Sequence, residues 1–596
     1  MNKTLTPISA GMIEALECRG CTAEDWSRVC IAPESEPQLF SNVDFEGDVS
    51  IGVVGRSLRP DACIRNATLK DCIIGDSPRI RNVHGSITNM NIGNNVTIEN
   101  VGRIECEPHA GCGVGMEINV LDETGTRPVI AYIGLTAQSA ILMARSPRSV
   151  AEELYNQTLE YLPMRPAKAS IGDSARITDT QIISNVEIGR ECIIEGAARL
   201  SNGTIANNAS PGKGLAYIGP GVDADGFIIE DGVVDAGALI RHTFVGQGVR
   251  LEKYFTSHDS LFFANCSMEN GEACALFAGP YTVSMHKGTL LIGCQTSFMN
   301  AGSSTNQSNH MYKLGPVHWG VLERGVKTSS NSYLMLGANI GAFSLLMGDH
   351  KTHPDSREFP FSYLFGDASG ATVVVPAVML RSCGLMRDEK KWPTRDRRRR
   401  RGMPLRDRVI FDVLNPCTVE AMLSAIDTIR ELMHRPADDD RYIRYKGMKL
   451  SRASLERAIK LYTLGVKKYL TGILLPDTPA EDENGWVFPS APADENLRAQ
   501  WAEPWIDLAG QPMPRRYLTA AIETTGVTQR EEIFDEAMER YDTLQQEWIS
   551  ARIPDELRLS AEELRRGAAE FDTLVETDRE TYRNNLSAEL AMLGLY

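Results

Sequence analysis

Aliphatic residues recur every six positions over much of the chain. The stretch IGNNVTI, residues 92–98, places Ile92 and Ile98 six apart, and Ile74 and Ile80 continue this phase backwards. A small or acidic residue often follows the aliphatic one, as Gly93 follows Ile92. After a gap the spacing returns at Ile171 and Ile177, at Ile182, Ile188, Ile194 and Leu200, at Val234 and Ile240, and at Val245 and Leu251.

This six-residue period predicts a solenoid. Each hexad forms one short, flat side of a triangular coil, and its aliphatic side chain points inward onto the equivalent residues of the coils above and below. No single coil can bury its own apolar face, so several coils must stack. The alternative is a set of antiparallel strands with Gly-rich turns. Such strands would alternate with period two and recur about every 8–12 residues, which fits the pattern less well.

The limits of the period predict six segments. Residues 111–165 interrupt it with a hairpin turn at DETG, residues 122–125, and helical stretches that break near Pro147. The predicted order is an N-terminal helical cap at 1–36, a first coiled part at 37–110, a hairpin–helix insertion at 111–165, the main coiled part with its active-site loops at 166–385, a basic linker at 386–404, and an all-helical C-terminal domain at 405–596.

Capping signals support the helical prediction for the C-terminal segment. Apolar residues at helical spacing follow an Asn415-Pro416 start. Thr528 with Glu531, and Ser560 with Glu563, match the capping-box pattern that opens amphipathic helices.

Composition narrows the classes of partner. The net charge of −16 argues against nucleic acid or an anionic membrane, because both attract positive surface. No apolar run approaches the roughly 18 residues of a membrane span, and the first residues lack a signal-peptide pattern. Thirteen scattered cysteines favour reduced thiols, so we expect a cytoplasmic protein.

Histidines concentrate in the second half of the coiled region. Acyl transfer to an amine needs a base, and imidazole has a pKa suited to that task. It also needs donors for the developing oxyanion and positive charge for phosphates. Six of the ten histidines lie between residues 254 and 353: His258, His286, His310, His318, His350 and His353.

The hexads at 40–110 and 165–380 resemble the hexapeptide-repeat family, which implies a left-handed parallel β-helix. Most members of that family are acyltransferases that use acetyl-CoA. The stretch NHMYKLG, residues 309–315, is similar to the catalytic stretch in the acetyltransferase domain of the bifunctional glucosamine-1-phosphate acetyltransferases and uridyltransferases. There an Asn-His pair is followed, after three residues that include a tyrosine, by Leu-Gly.

By this resemblance His310 is the general base, and Asn309 orients it or polarises the thioester. Lys313 and Lys287 would hold the substrate phosphate. Tyr312 stands one place earlier than the family's tyrosine, and Lys313 occupies the matching place. A further Asn-Tyr pair that the family carries downstream is absent. Further candidate substrate contacts are His286, Asn300 and Asn306.

The five-arginine run at 397–401 is open to three interpretations. It is a solvated linker, it binds acidic patches of a neighbouring subunit, or Arg398, Arg399 and Arg400 bind the phosphates of coenzyme A.

The expected function is transfer of an acetyl or similar acyl group from acyl-CoA to the amine of a sugar phosphate such as glucosamine 1-phosphate. The family resemblance implies a homotrimer, and we expect no metal. The nucleotide-binding loop of the bifunctional enzymes is absent, so another chain would add the nucleotide in UDP-GlcNAc synthesis. Two alternatives remain. One is a different enzyme on the same fold, either an O-acyltransferase or one that acts on an amino acid. The other is a non-catalytic oligomeric scaffold whose helical domain recruits a partner protein.

Overall fold

The structure, a computed structural model, describes residues 8–206, 216–310, 317–400, 405–436, 438, 441–476 and 487–592, without the side chains of 399–400 and 586–592. It is mainly β. Within these residues, 40 strands, nearly all parallel, form one large sheet, and most helices follow it towards the C-terminus.

The strands of the large sheet are short. Before the insertion they are Thr22–Ala23, Val29–Ile31, Phe40–Glu46, Val49–Ile51, Cys63–Lys70, Ile73–Ile74, Arg79–Val83, Ser86–Thr88, Met90–Ile92, Thr97–Val101 and Arg103–Glu105. After it they are Ala169–Ile171, Arg176–Thr178, Ile182–Ile188, Ile193–Glu195, Arg199–Ala206, Tyr217–Ile218, Asp223–Glu230, Val233–Val234, Leu239–Val245, Arg250–Glu252, Thr256–Phe262, Ser267–Glu269, Glu272–Cys274, Phe277–Ala278, Val283–Ser284, Leu290–Ile292, Cys294–Thr296, Asn300–Ala301, Asn306–Ser308, Gly320–Leu322, Lys327–Thr328, Tyr333–Met335, Asn339–Ile340, Leu345–Met347, Asp349–His350, Tyr363–Gly366, Thr372–Val375, Tyr442–Tyr445 and Met448–Ser451.

In the part of the chain that the structure describes, two further hairpins lie outside that sheet. Met116–Asn119 pairs with Pro128–Ala131, and Trp505–Leu508 pairs with Gln511–Pro514, both antiparallel. The α-helices are Ala10–Glu17, Ala137–Arg145, Arg148–Tyr161, Cys383–Thr394, Arg397–Arg400, Pro416–Met433, Arg452–Leu474, Glu495–Trp501, Arg515–Glu523, Val527–Glu539, Tyr541–Arg552 and Ala561–Met592. None of the helices in the described part of the chain is long and apolar enough to cross a membrane.

The chain passes repeatedly through three rows of strands, here named sides A, B and C. On side A, Ile177 pairs in parallel with Ile98 behind it and with Ile194 ahead of it. On side B the corresponding strands pair Ile183 with Ile104 and Leu200, and on side C they pair Ile188 with Ile171 and Ile205. One passage through all three sides is called a turn, and its length of 17 residues, as from Ile177 to Ile194, is close to three hexads.

The aliphatic residues of the hexads line the interior, as the period predicts. All but one of those named above are at most 3% exposed. The exception is Ile182, which is half-buried while Ile183 takes the inward position and pairs with Leu200. The predicted run of four at strict spacing is therefore wrong at its first member, because the turn there is one residue shorter than three hexads.

The corner between sides A and B carries a ladder of amides. Its residues have φ between 50° and 55°, a region that Asn and Asp tolerate better than other non-glycine residues. Each Nδ2 donates to the Oδ1 of the next turn at 2.9–3.0 Å. The ladder gives these side chains hydrogen-bond partners within the protein, and it aligns the corners of successive turns. Its members are the amides of Asn42, Asn66, Asn82 and Asn100, and the ladder ends on the carboxylate of Asp179.

The ends of the sheet differ from the predicted segments. The helix near the N-terminus covers only Ala10–Glu17, and Val29–Ile31 already pairs with Val49–Ile51, so the sheet starts before residue 37. At the other end, the hairpin of Tyr442–Tyr445 and Met448–Ser451 extends the same sheet by pairing with Thr372–Val375. The region after residue 405 is therefore not all helical.

The capping signals succeed at two sites and fail at one. Asn415 and Thr418 form a capping box that opens Pro416–Met433, and Ser560 and Glu563 bond each other as predicted. The box predicted for Thr528 and Glu531 is wrong, because the helix there begins at Val527 behind Gly526. Glu531 instead receives bonds from Arg408 and from the insertion hydroxyl of Ser139.

A buried carboxylate joins three parts of the chain. Asp407 accepts from the backbone N–H of Ala137, the first residue of an insertion helix, at 2.8 Å, and from that of Ala264 in the sheet at 2.7 Å. Burial raises the pKa of Asp407. The segment after residue 405 thus fastens the insertion to the sheet.

Glu230 provides a test of this buried polar region. Its side chain is buried at the end of Asp223–Glu230, accepts from the N–H of Gly134, and has its pKa raised by burial to about 7. The unfolded value is about 4.3. Between pH values of about 4.3 and about 7, Glu230 therefore holds a proton in the folded protein that it has lost in the unfolded chain. The stability that this contributes is present below a pH of about 4.3 and is lost as pH rises through about 7.

We predict that Glu230→Gln, which mimics the protonated carboxyl, gains stability relative to the wild type as pH rises from about 5 to 8. Apparent thermal midpoints measured at each pH test this, with the exposed Glu272→Gln as control. A wild-type–variant difference that stays constant across that range would contradict the assignment.

Candidate functional site

His310 lies where side B ends and the chain turns towards side C. Asn306–Ser308 is the side B strand, and Asn309 and His310 follow it directly. The His310 Nε2 is 3.1 Å from Oε1 of Glu123, and the His310 side chain is 39% exposed. Among the described residues Nδ1 makes no hydrogen bond. An imidazole held at one nitrogen by a carboxylate, with the other open, is the usual arrangement of a histidine base.

The insertion hairpin brings Glu123 to this place. Glu123 lies in the hairpin loop that joins Met116–Asn119 to Pro128–Ala131. The hairpin runs along the corner between sides B and C, where the N–H of Leu121 donates to the carbonyl of Ala275 at 2.8 Å. At Gly293 (φ +55°), on the next turn, a Cβ would stand 2.9 Å from the Leu121 carbonyl oxygen. A glycine is therefore required there for the hairpin to pass.

Asn309 offers a buried donor that has no partner among the described residues. The residue is 4% exposed, and its carbonyl accepts from the N–H of His318 at 2.7 Å. Within the described part of the chain its Nδ2 is buried and has no hydrogen-bond partner, and the same holds for Nε2 of Gln307 on the strand before it. Buried amides left unpaired are costly, so each is a candidate donor to a bound ligand.

Two arginines of the insertion flank Trp319. The guanidinium carbons of Arg127 and Arg145 stand 5.1 and 5.5 Å from the centre of its ring. Arg145 also donates to Oε1 of Gln295 at 2.8 Å, and Arg127 to the carbonyl of Ala144 at 2.9 Å. Within the described ranges neither guanidinium has a carboxylate within 4.0 Å, which leaves positive charge for an anion.

Both arginines line a cleft of about 920 Å³ between the hairpin and the two insertion helices. At one wall the hydroxyl of Tyr155 donates to Oε1 of Glu117 at 2.5 Å, and this bond raises the pKa of Tyr155. The rim includes Gly125. Gly125 is two residues from Glu123, which contacts His310. The cleft and His310 therefore border the same hairpin.

The other predicted residues are spread over different sides. His286 and Lys287 are exposed between Val283–Ser284 and Leu290–Ile292, where side A leads into side B. Asn306 is exposed on side B of the His310 turn, whereas Asn300 is exposed on side A. Tyr312 and Lys313 lie outside the described residues.

The arginine run is not a free linker where the structure describes it. Arg398 is 2% exposed, and its guanidinium binds both oxygens of Asp396 at 3.0 Å and the carbonyl of Asp407 at 2.7 Å. Arg397 is likewise bonded to the sheet around Asn265. Arg398 is thus committed to packing the C-terminal part against the sheet. The structure does not describe the side chains of Arg399 and Arg400.

Reasoning from the sequence missed Glu123, Arg127, Arg145 and Trp319. Glu123 lies inside the DETG stretch, where it indicates only a turn. The contact with His310 spans 187 positions and has no local signal.

Comparison with known proteins gives relatives but no activity. The chain is 24% identical over 459 residues to an uncharacterized protein of Treponema pallidum (strain Nichols). The alignment covers 72% of this chain and 60% of that relative, so the chain spans about 60% of the relative's length. Residues 6–433 match a family described as "Domain of unknown function (DUF4954)". Because this match covers well over half of the chain, the protein belongs to the DUF4954 family.

Proposed function

We propose that this protein is an acyltransferase that moves an acetyl or similar acyl group from acyl-CoA to the amine of a sugar phosphate such as glucosamine 1-phosphate. The observation that carries the proposal is the His310–Glu123 pair at 3.1 Å, next to Asn309, whose Nδ2 has no hydrogen-bond partner among the described residues. The resemblance of NHMYKLG to the acetyltransferase stretch supports the same assignment.

In the proposed reaction the acceptor amine attacks the thioester carbonyl carbon. With Nε2 bonded to Glu123, His310 takes a proton from the attacking nitrogen on Nδ1. Nδ2 of Asn309 donates to the oxyanion of the tetrahedral intermediate. The C–N bond forms, the C–S bond breaks, and the proton passes to the departing thiolate. Glu123 stabilises the imidazolium between these two steps.

The arginine-flanked cleft is proposed to hold the phosphates of coenzyme A. Arg127 and Arg145 line it without a carboxylate partner among the described residues, and planar guanidinium groups bind phosphate in two-pronged fashion. Arg127 and Arg145 take the place of Arg398 as proposed ligands of these phosphates. The Arg398 guanidinium is already bonded to the carbonyl of Asp407, in the packing of the C-terminal part against the sheet.

The other residues singled out in the sequence remain proposed contacts of the acceptor. Asn306 is exposed on the side B strand that leads to His310. His286, Lys287 and Asn300 are exposed on other parts of the sheet, so they would reach this acceptor only from a neighbouring subunit of the proposed homotrimer. Tyr312 and Lys313 follow His310 closely in the sequence and lie outside the described residues, so their part in the proposal rests on the resemblance.

The finer architecture belongs to the same proposal. We infer that the three sides wind as a left-handed parallel β-helix, supported by parallel pairing at intervals close to three hexads. A homotrimer follows from the family resemblance and is proposed with it. A cytoplasmic location is proposed from the thirteen scattered cysteines.

We predict that purified protein releases free thiol from acetyl-CoA only when an amine acceptor is present. Glucosamine 1-phosphate and a panel of other amines and alcohols are the acceptors to compare. His310→Ala should lower kcat/KM by about 10² or more, the scale of a lost general base. Glu123→Gln should lower it less, because the imidazole remains.

The matched control is His84→Ala, because His84 is an exposed histidine on a distant turn of the same sheet. Release that survives His310→Ala would keep the reaction and remove His310 as its base. No release with any acceptor, and no binding of coenzyme A, would overturn the proposed function.

We also predict that Arg145→Gln raises the KM for acetyl-CoA about tenfold while kcat changes little, because a contact distant from the reacting atoms contributes uniform binding. Steady-state kinetics with varied acetyl-CoA measure this, with the exposed Arg103→Gln as control. An unchanged KM would remove the cleft from coenzyme binding.

A further inference from the structure

A second group of reactive side chains lies on the corner between sides B and C, away from His310. It comprises His242, His258 and Asp259, whose ligand atoms all lie within 4.8 Å of one another. Nδ1 of His258 is 2.8 Å from Oδ2 of Asp259, and Nδ1 of His242 is 3.5 Å from Oδ1.

The stacking of turns creates this group. Arg241 pairs with His258 and Thr243 with Ser260, so His242 and Asp259 occupy the same corner position on successive turns. Both have positive φ, 43° and 47°, a conformation for which His and Asp are among the enriched residues. Two turns before His242 the same position holds Asn202, whose Oδ1 accepts a hydrogen bond from Nδ2 of Asn185 at 3.3 Å. Potential metal ligands thus replace a structural ladder here.

The surroundings hold the group in place from two directions. At Gly226, one turn before His242, a Cβ would stand 2.7 Å from Cδ2 of His242 and 2.9 Å from Sδ of Met116, so the glycine makes room for the imidazole. The N–H of Asn119, in the insertion hairpin, donates to Oδ1 of Asp259 at 3.3 Å. A carboxylate oriented by a backbone donor is typical of a metal ligand supported by its outer shell.

Accessibility and spacing fit a metal ion. The side chains of His242 and His258 are 54% and 59% exposed, while that of Asp259 is 9% exposed. In a tetrahedral site with bonds of about 2.0–2.1 Å, ligand atoms stand about 3.3 Å apart. The two imidazole–carboxylate distances lie on either side of that value.

We propose that His242, His258 and Asp259 form a binding site for a divalent transition metal ion, with zinc the preferred ion. Two imidazoles and one carboxylate are the ligand set of open zinc sites, and the exposed side leaves a fourth position for water or a small ligand. This departs from the sequence-based expectation that the protein holds no metal.

The site is independent of the proposed acyl transfer. From Asp259 the corner passes through Ala275 and Gly293 before Asn309, three turns of about 4.8 Å each, or roughly 14 Å. A metal there cannot contact the atoms that react at His310. It would instead tie the corner to the hairpin through Asp259 and Asn119.

The test is binding of Zn²⁺ by isothermal titration and of Co²⁺ by its visible absorption, both on the full chain stripped of metal with chelator. The expected result is one ion per chain, with Co²⁺ bands typical of a tetrahedral N and O site. His242→Ala, His258→Ala and Asp259→Asn should each weaken binding by more than about 100-fold, beyond the loss that follows removal of an outer-shell partner.

His84→Ala is the matched control and should bind as the wild type does. Zn²⁺ should raise the apparent thermal midpoint of the wild type and of the control but not of Asp259→Asn, which keeps an acceptor for Asn119. Absence of a bound ion, or binding that survives all three ligand substitutions, would overturn the proposal. Neither result depends on whether acyl transfer is found.

Discussion

The structure depends on one constraint: no single turn of the sheet can bury its own aliphatic residues. Ile177 is fully buried only because Ile98 lies on one side of it and Ile194 on the other. Each turn must therefore repeat the three sides of its neighbours at nearly the same length. The corners then fall into line, and residues about 17 positions apart come into contact.

This alignment gives the corners their chemistry. At the corner between sides A and B it produces a ladder of amides that bond from turn to turn. At the corner between sides B and C it places small residues, Gly226 and Gly293, where the insertion hairpin passes. It also stacks His242 on Asp259. The same backbone geometry thus serves structure at one corner and offers candidate sites at another.

The insertion and the C-terminal part add contacts to the sheet that form the proposed site. The hairpin supplies Glu123 to His310, and its helices form the cleft that Arg127 and Arg145 line. Asp407 holds the insertion against the sheet by accepting from the insertion and from a strand end. The contacts of Glu123 and Asp407 join segments more than a hundred residues apart, so the proposed site exists only in the folded chain.

The sequence by itself determined the stacked β architecture, the hairpin and helices of the insertion, and the helix behind Asn415, because each follows from local period or capping. It also singled out His310 as a candidate. The tertiary structure alone decided that Ile183 and not Ile182 points inward, that Glu531 bonds Arg408 and not its own helix start, and that Glu123 meets His310. Local pattern carries no information about which distant segments meet, since packing between turns and insertions selects those contacts.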